Sequence, residues 1–390
     1  YELLPATQSF RIYYYVAATT PGTAYYFNTI RRGSEPTVHG TYDLMTGGAL
    51  RWEIVDGRAA RAMGMTNSDT TGQYIKVRLA RPVPAGGETR ILIDKTYRDP
   101  ASVFLRDGRV VFSRTLGINR NAVVLPAGHE LARVTYPSQI MTESDGRVKV
   151  SFMNPGPSGV PYLVEGRPLP SRAAASRPAA APPAPAANAN AAGPPVPSSA
   201  RIDFQFSERA FQDREIVYFL QPPETHSFSL YHDYTETRPG TDRYLNVVRA
   251  GSRASNPSAR NLDTGQPLRV ETLRGEEIAK RGIDIGGPVT AASEIVVIWF
   301  DPVQPGHSTR LRIEETYTDP SRYLLAGGEL IWDRSFGRPR NAVVLPAGWY
   351  VTTSSIPAVV SETDDGRIRL DFTNDRPDEI AVFLKARRRG

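Results

Sequence analysis

"RNAVVLPAG" stands at Arg120 to Gly128 and again at Arg340 to Gly348, 220 positions further along a chain of 390 residues. Its apolar run, Ala122 to Leu125, is short and ends in a Pro-x-Gly turn, which reads as a buried strand. Working outward at the same spacing, Thr96-Tyr97 meets Thr316-Tyr317, Asp99-Pro100 meets Asp319-Pro320, Arg114 meets Arg334, and Asp145-Gly146-Arg147 meets Asp365-Gly366-Arg367. Upstream, "TGGALRWE" at 46–53 meets "TGQPLRVE" at 264–271 with a spacing of 218. Self-similarity over such a length makes one domain used twice the expected plan.

The segments inside each copy carry strand patterns. "GRVKVSFMN" at 146–154 alternates with period two, setting Val148, Val150 and Phe152 on one face and Arg147, Lys149 and Ser151 on the other. The second copy repeats this with Ile368, Leu370 and Phe372, the pattern of a half-buried antiparallel strand fed by an Asp-Gly turn. Further strands are expected at "RIYYYVA", "ALRWEIV", "YIKVRLA", "RILIDKTY" and "RVVFSRTL", and short helices between Gly57 and Gly64 and between Gly275 and Gly282. Between the copies, 22 of the 34 residues from Arg167 to Ala200 are Ala or Pro, a composition that favours an extended, semi-rigid spacer. The expected fold is therefore all-β: a β-sandwich over 1–166, an Ala/Pro-rich linker over 167–200, and a second β-sandwich over 201–390 ending in a basic tail.

The run "YIKVRLARPVPAGGETRILIDKTY" at 74–97, with "EIVVIWFDPVQPGHSTRLRIEETY" at 294–317, resembles the N-terminal β-sandwich domain of zinc aminopeptidases. There a strand, a Pro-rich turn and a second strand ending in Tyr follow in the same order. The resemblance implies a β-sandwich and no peptidase activity. The peptidase zinc site needs His-Glu-x-x-His, whose two His ligate the metal while the Glu activates water. "HELAR" at 129–133 places Arg133 where the second ligand belongs, and the second copy has Trp349-Tyr350 in place of His129-Glu130.

Chemistry is otherwise sparse. With no Cys, thiolate catalysis, Cys-ligated zinc and iron–sulfur clusters are excluded. His39, His226, His232 and His307 show no metal or triad spacing, and neighbouring Glu314 and Glu315 point to opposite faces of a strand. No nucleophile elbow, phosphate-binding loop or calcium loop is present. The expectation is a non-enzyme with no catalytic residue, no metal and no cofactor. The net charge of +6 is thinly spread and accompanied by no nucleic-acid motif, so no nucleic acid is expected as a partner. The tyrosine clusters at 13–15 and 25–26 offer rings for stacking on sugars or peptides.

Two features point to partners. At a spacing of 220, Lys76, Arg78 and Ala80 become Val296, Ile298 and Phe300, so a wet strand face turns dry and calls for a cover, from within the chain or from another protein. At the C-terminus, Lys385, Arg387, Arg388 and Arg389 form a basic run suited to an acidic partner or an anionic membrane surface.

The opening run "YELLPATQSFRIYYYV" lacks the basic start and long apolar core of a signal peptide and reads as a mature or trimmed chain. The Ala-, Arg- and Pro-rich style resembles that of an accessory periplasmic subunit of bacterial photosynthetic reaction-centre complexes, which implies docking and no pigment ligand. The expected function is a non-catalytic scaffold in the bacterial periplasm or at the cell surface, peripheral to a membrane. Its partners are other subunits of a membrane-associated complex or copies of itself. The alternative is a carbohydrate- or peptide-binding module, with Trp52, Trp299, Trp332 or Trp349 exposed on one concave surface.

Overall fold

The computed structural model describes residues 1–170, 214–376 and 378–390. Most of the expected spacer lies outside the described residues, but its first two residues close the strand Val160–Pro168. The fold is mostly β, with one large mixed sheet and two three-stranded sheets. Helices are short, Gly57–Ala62 and Glu276–Lys280, where the Gly-bounded segments place them. The first is capped by Asp56, whose Oδ1 accepts from the Ala59 amide at 2.7 Å.

Strand Arg120–Val124, the duplicated word itself, runs antiparallel to Val148–Met153, and Arg340–Val344 runs antiparallel to Ile368–Thr373 in the same register. Val123 and Leu125 are fully buried, as are Val343 and Leu345. The turns feeding the second strand of each pair put Gly146 and Gly366 at φ of 84° and 77°, a left-handed conformation that costs Gly nothing. Asp145 Oδ1 accepts from the Arg147 amide at 3.0 Å and fixes the first of these turns.

The small sheet Tyr25–Ile30, Gln73–Arg78 and Trp52–Asp56 packs on the large one. Ile75, Val77 and Leu79 meet Ile91 and Ile93 of strand Thr89–Arg98. Burying each such side chain contributes roughly 1.5–3 kcal/mol. The second small sheet, Arg243–Val247, Glu294–Trp299 and Arg269–Arg274, lies against the large sheet in the same way.

The two halves also touch directly. Strand His129–Thr142 pairs antiparallel with Trp349–Glu362, with Val134 opposite Val360, Ser138 opposite Ala358 and Ile140 opposite Ser354. Shifting by 220 exchanges these partners: Ser354 is the counterpart of Val134, and Val360 that of Ile140. The seam therefore has local two-fold symmetry centred on Ser138 and Ala358, both fully buried, as an isologous dimer interface would.

Candidate functional site

The first partner patch read from the sequence is buried within the chain. Val296 and Ile298 are fully buried and Phe300 is 9% exposed, all in the main core. They are dry as expected, with the cover coming from within the chain, and what is corrected is their match to Lys76, Arg78 and Ala80, by one residue of register. Leu79 N bonds Ala24 O where Phe300 N bonds Asp242 O, while Val83 and Val303 bond Thr23 and Thr241 alike. The second half has one residue fewer between these anchors, so Ile75, Val77 and Leu79 correspond to Val296, Ile298 and Phe300. A slip of one flips every side chain to the other face. The residues that replace Lys76 and Arg78 are Val297 and Trp299, which pack toward Leu273, Ile278, Ile283 and Ile285.

The second patch is no loose tail. Lys385, Arg387 and Arg388 belong to strand Ile380–Arg388, paired with both Glu329–Phe336 and Trp349–Glu362. Lys385 and Arg387 both pair with Glu329, at 3.1 and 2.9 Å, and Arg388 pairs with Glu224 while lying 5.2 Å above the Trp349 ring. Arg389 reaches Glu130 of the first half at 2.9 Å. Strand pairing and these carboxylates engage all four cations.

Glu130, from the near-miss "HELAR", opens a strand and is fully buried among cations. It accepts Arg167 at 2.5 Å as well as Arg389, and Arg167 goes on to Glu362 at 2.5 Å. This chain of charges ties the halves together beside the seam. Among the described residues no group of three His, Asp or Glu side chains is placed to hold a metal.

Two of the buried ionisable residues stand at inward strand positions that the sequence reading did not assign: Lys95, and Glu315, which it had placed only on the face opposite Glu314. On Thr89–Arg98 the inward positions run Ile91, Ile93, Lys95, Tyr97; on Thr309–Thr318 they run Leu311, Ile313, Glu315, Tyr317. A charge at an inward parity was the available signal. Lys95 donates to Asn28 Oδ1 and, at 3.0 Å, to the Tyr97 hydroxyl, with the Tyr14 ring 5.6 Å away. Burial, aided by the Arg114 charge, lowers its pKa to about 7.

Glu315 accepts from Asn246 Nδ2 at 2.6 Å, and the same amide reaches the Tyr317 hydroxyl at 3.0 Å. Burial raises its pKa to about 7 against the opposing hydrogen bonds, and its Oε1 has no hydrogen-bond partner among the described residues. It lines a cavity of about 170 Å³ together with His232, Tyr244, Asn246 and Arg334. The arrangement can take up or release a proton near neutrality in each half.

A groove of about 970 Å³ lies between strands Ser9–Ala18 and Arg120–Val124. Tyr13, Tyr14, Tyr15 and Tyr136 line it, with Arg147 and Lys149 along one wall. Tyr13 and Tyr15 are 39% and 66% exposed. The tryptophans do not form a concave surface: Trp332 and Trp349 are core residues, and Trp52 and Trp299 sit on different small sheets.

No protein-family model and no curated protein matches the chain. Among solved structures it is similar to the M1 zinc metallopeptidase from Deinococcus radiodurans, at 18% identity and a TM-score of 0.28 over 44% of this chain and 41% of that one. It is also similar to an aminopeptidase N family protein from Idiomarina loihiensis, at 12% identity and a TM-score of 0.27 over 44% and 29%. The chain thus matches less than half the length of these enzymes. This is a distant structural similarity to the N-terminal β-sandwich region of the aminopeptidases, and it says nothing about activity.

Proposed function

We propose that this chain is a non-catalytic docking subunit built from two tandem β-sandwich units. It acts in the bacterial periplasm or at the cell surface, within a stable membrane-associated assembly such as an energy-converting complex or a surface layer. The observation that carries this reading is the tyrosine-lined groove, which combines large amphipathic rings with Arg and Lys. Tyr and Arg are enriched at protein interfaces, where rings supply contact area and the guanidinium supplies direction. The seam and its ion chain support it by holding the two units against each other.

The test is the native mass of the particle purified in mild detergent, with each co-purifying polypeptide identified. Retention with stoichiometric membrane subunits is the expected result, and a lone monomer of 42.9 kDa overturns the reading. A carbohydrate-binding module is the second reading, favoured by the exposed Tyr13 and Tyr15 rings. A glycan array separates the two.

A further inference from the structure

The cavity beside Glu315 lies in the second half, between the large sheet and the small sheet that holds Arg243–Val247. Its floor is buried: Tyr218, His232, Glu315, Tyr317 and Arg334 are between 3% and 8% exposed. Arg249 and Glu379, 3.7 Å apart and 30% and 44% exposed, form its solvent-facing end. At about 170 Å³ it has room for a molecule of about six heavy atoms, since a cavity of roughly 150 Å³ takes a benzene ring.

Two groups that line this space have polar atoms still to be served. Asn246 Nδ2 donates to Glu315 Oε2 at 2.6 Å and to the Tyr317 hydroxyl at 3.0 Å, which uses both protons of that amide. Glu315 Oε1 is buried with no hydrogen-bond partner among the described residues, and so is Arg338 Nε. Arg338 donates to the Tyr244 hydroxyl at 3.3 Å and pairs with no carboxylate among the described residues. Arg334 and Arg249, by contrast, already hold Asp319 and Glu379. Leaving a buried donor and a buried acid oxygen unmet is unfavourable, and one bound group that reaches both relieves it.

The first half fills the same place with its own side chains. Tyr14 stands across from Ile93 as His232 does from Ile313, and Ile118 O accepts from Asn121 at 2.8 Å as Arg338 O does from Asn341 at 2.7 Å. Lys95, in the position of Glu315, donates to Asn28 and Tyr97 and lies 5.6 Å from the Tyr14 ring. Where the first half has Tyr14, Lys95 and Ile118, the second has His232, Glu315 and Arg338. A large ring is lost there, and an acid and a guanidinium enter that form no ion pair with each other.

We infer that this cavity binds a small carboxylate of up to about six heavy atoms, one oxygen accepting from Arg338 and the other from the Glu315 carboxyl group. The inference is independent of the docking reading. The charges of the lining select this class: Asp319 and Glu379 balance Arg334 and Arg249, which leaves Arg338 as the cation for an anion to neutralise. A carboxylate meets Glu315 only while that acid carries its proton, for two carboxylates at hydrogen-bond distance repel. Glu315 keeps its proton up to about pH 7, so binding goes with proton uptake. The other ionisable groups around it are Tyr317 on its own strand, His232 on the neighbouring strand, Tyr244 and Glu294 on the small sheet, and Arg334 on strand Glu329–Phe336.

The experiment titrates the full chain with acetate, propionate and butyrate, and with propionamide and propylamine as neutral and cationic controls, following backbone amides by NMR. Shifts at Asn246, Glu315 and Arg338 are expected for the carboxylates alone, with affinity falling about tenfold between pH 6 and pH 8. Glu315→Gln is expected to bind at pH 8 as it does at pH 6, because its amide donates at every pH, and Arg338→Gln to bind at least tenfold more weakly than the parent at pH 6. Thermal unfolding confirms that both variants fold. Absence of shifts at millimolar butyrate, or equal shifts with propionamide, overturns the inference. So does a pH dependence that Glu315→Gln leaves in place, which assigns the proton to His232. Propylamine binding that tightens as pH rises overturns it too, for the cavity is then a cation site.

Discussion

Lys95 and Glu315 occupy the same place on equivalent strands, each against an Asn and a Tyr, with opposite charge. Lys95 faces Asn28 and Tyr97, Glu315 faces Asn246 and Tyr317, and both are 3% exposed. The site was kept polar in both halves while its charge was inverted. Desolvation moves each pKa to about 7, from below for the acid and from above for the base.

For Glu315 the folded value lies above the ordinary 4.5. The stability it allows is fully present below pH 4.5 and is lost as pH rises to about 7, by on the order of 3 kcal/mol. Glu315→Gln keeps an acceptor for Asn246 and removes the titration. Urea unfolding across pH 4 to 9 is expected to show the variant more stable than the parent above pH 7, with the gap closing at pH 4.5.

For Lys95 the sign is reversed. Its folded value lies below the ordinary 10.5, so the unfolded chain holds more protons between pH 7 and 10.5 and stability rises through that window. Lys95→Met is expected to flatten the rise and to stabilise the protein at pH 6. A parent slope that is unchanged in the variant assigns the dependence to other groups.

Glu130 is fully buried between Arg167 and Arg389, so Glu130→Gln removes the buried charge that both arginines share and leaves Arg167 with Glu362 alone. A loss of about 3 kcal/mol is expected from denaturant unfolding. Arg387→Ala, at an exposed pair with Glu329, is expected to cost less than about 1 kcal/mol.

The seam centred on Ser138 and Ala358 makes unfolding of the halves interdependent. Ala358→Arg buries a charge there, and calorimetry is expected to resolve two transitions where the parent shows one. A single transition for the variant shows that the ion chain alone couples the halves.

The one-residue register shift is testable by a pair of substitutions. Ile298→Arg forces a charge into the main core and is expected to cost more than about 3 kcal/mol, or to prevent folding. Trp299→Arg restores the residue found at Arg78 on a face that is partly open, and is expected to cost far less. Equal losses place the two strands at the spacing of 220 after all.

Much of the fold was legible because period-two patterns and Asp-Gly or Pro-x-Gly turns are local. Val148, Val150 and Phe152 went inward as their alternation required, and Gly146 took the left-handed turn that its Asp-Gly neighbourhood demanded. The repeated word was a buried strand in both places. Even the inward parity of Lys95 and Glu315 was present in the sequence, overlooked because a charge on a strand is ordinarily assigned to the wet face. What lay beyond reach was the seam, since the pairing of Val134 with Val360 is a contact between distant segments that no local pattern encodes.

Sequence by itself determined the strands and the turns, because backbone propensity and side-chain alternation act over a few residues. Tertiary structure alone decided which residues are available to a partner. Val296, Ile298 and Phe300 are covered by the neighbouring sheet, and Lys385 to Arg389 are drawn into strand pairing and ion pairs with acids from far along the chain, with Arg387 and Arg388 still exposed, as are Tyr13 and Tyr15. Exposure is a property of what packs against a residue, and that is fixed only when distant segments meet.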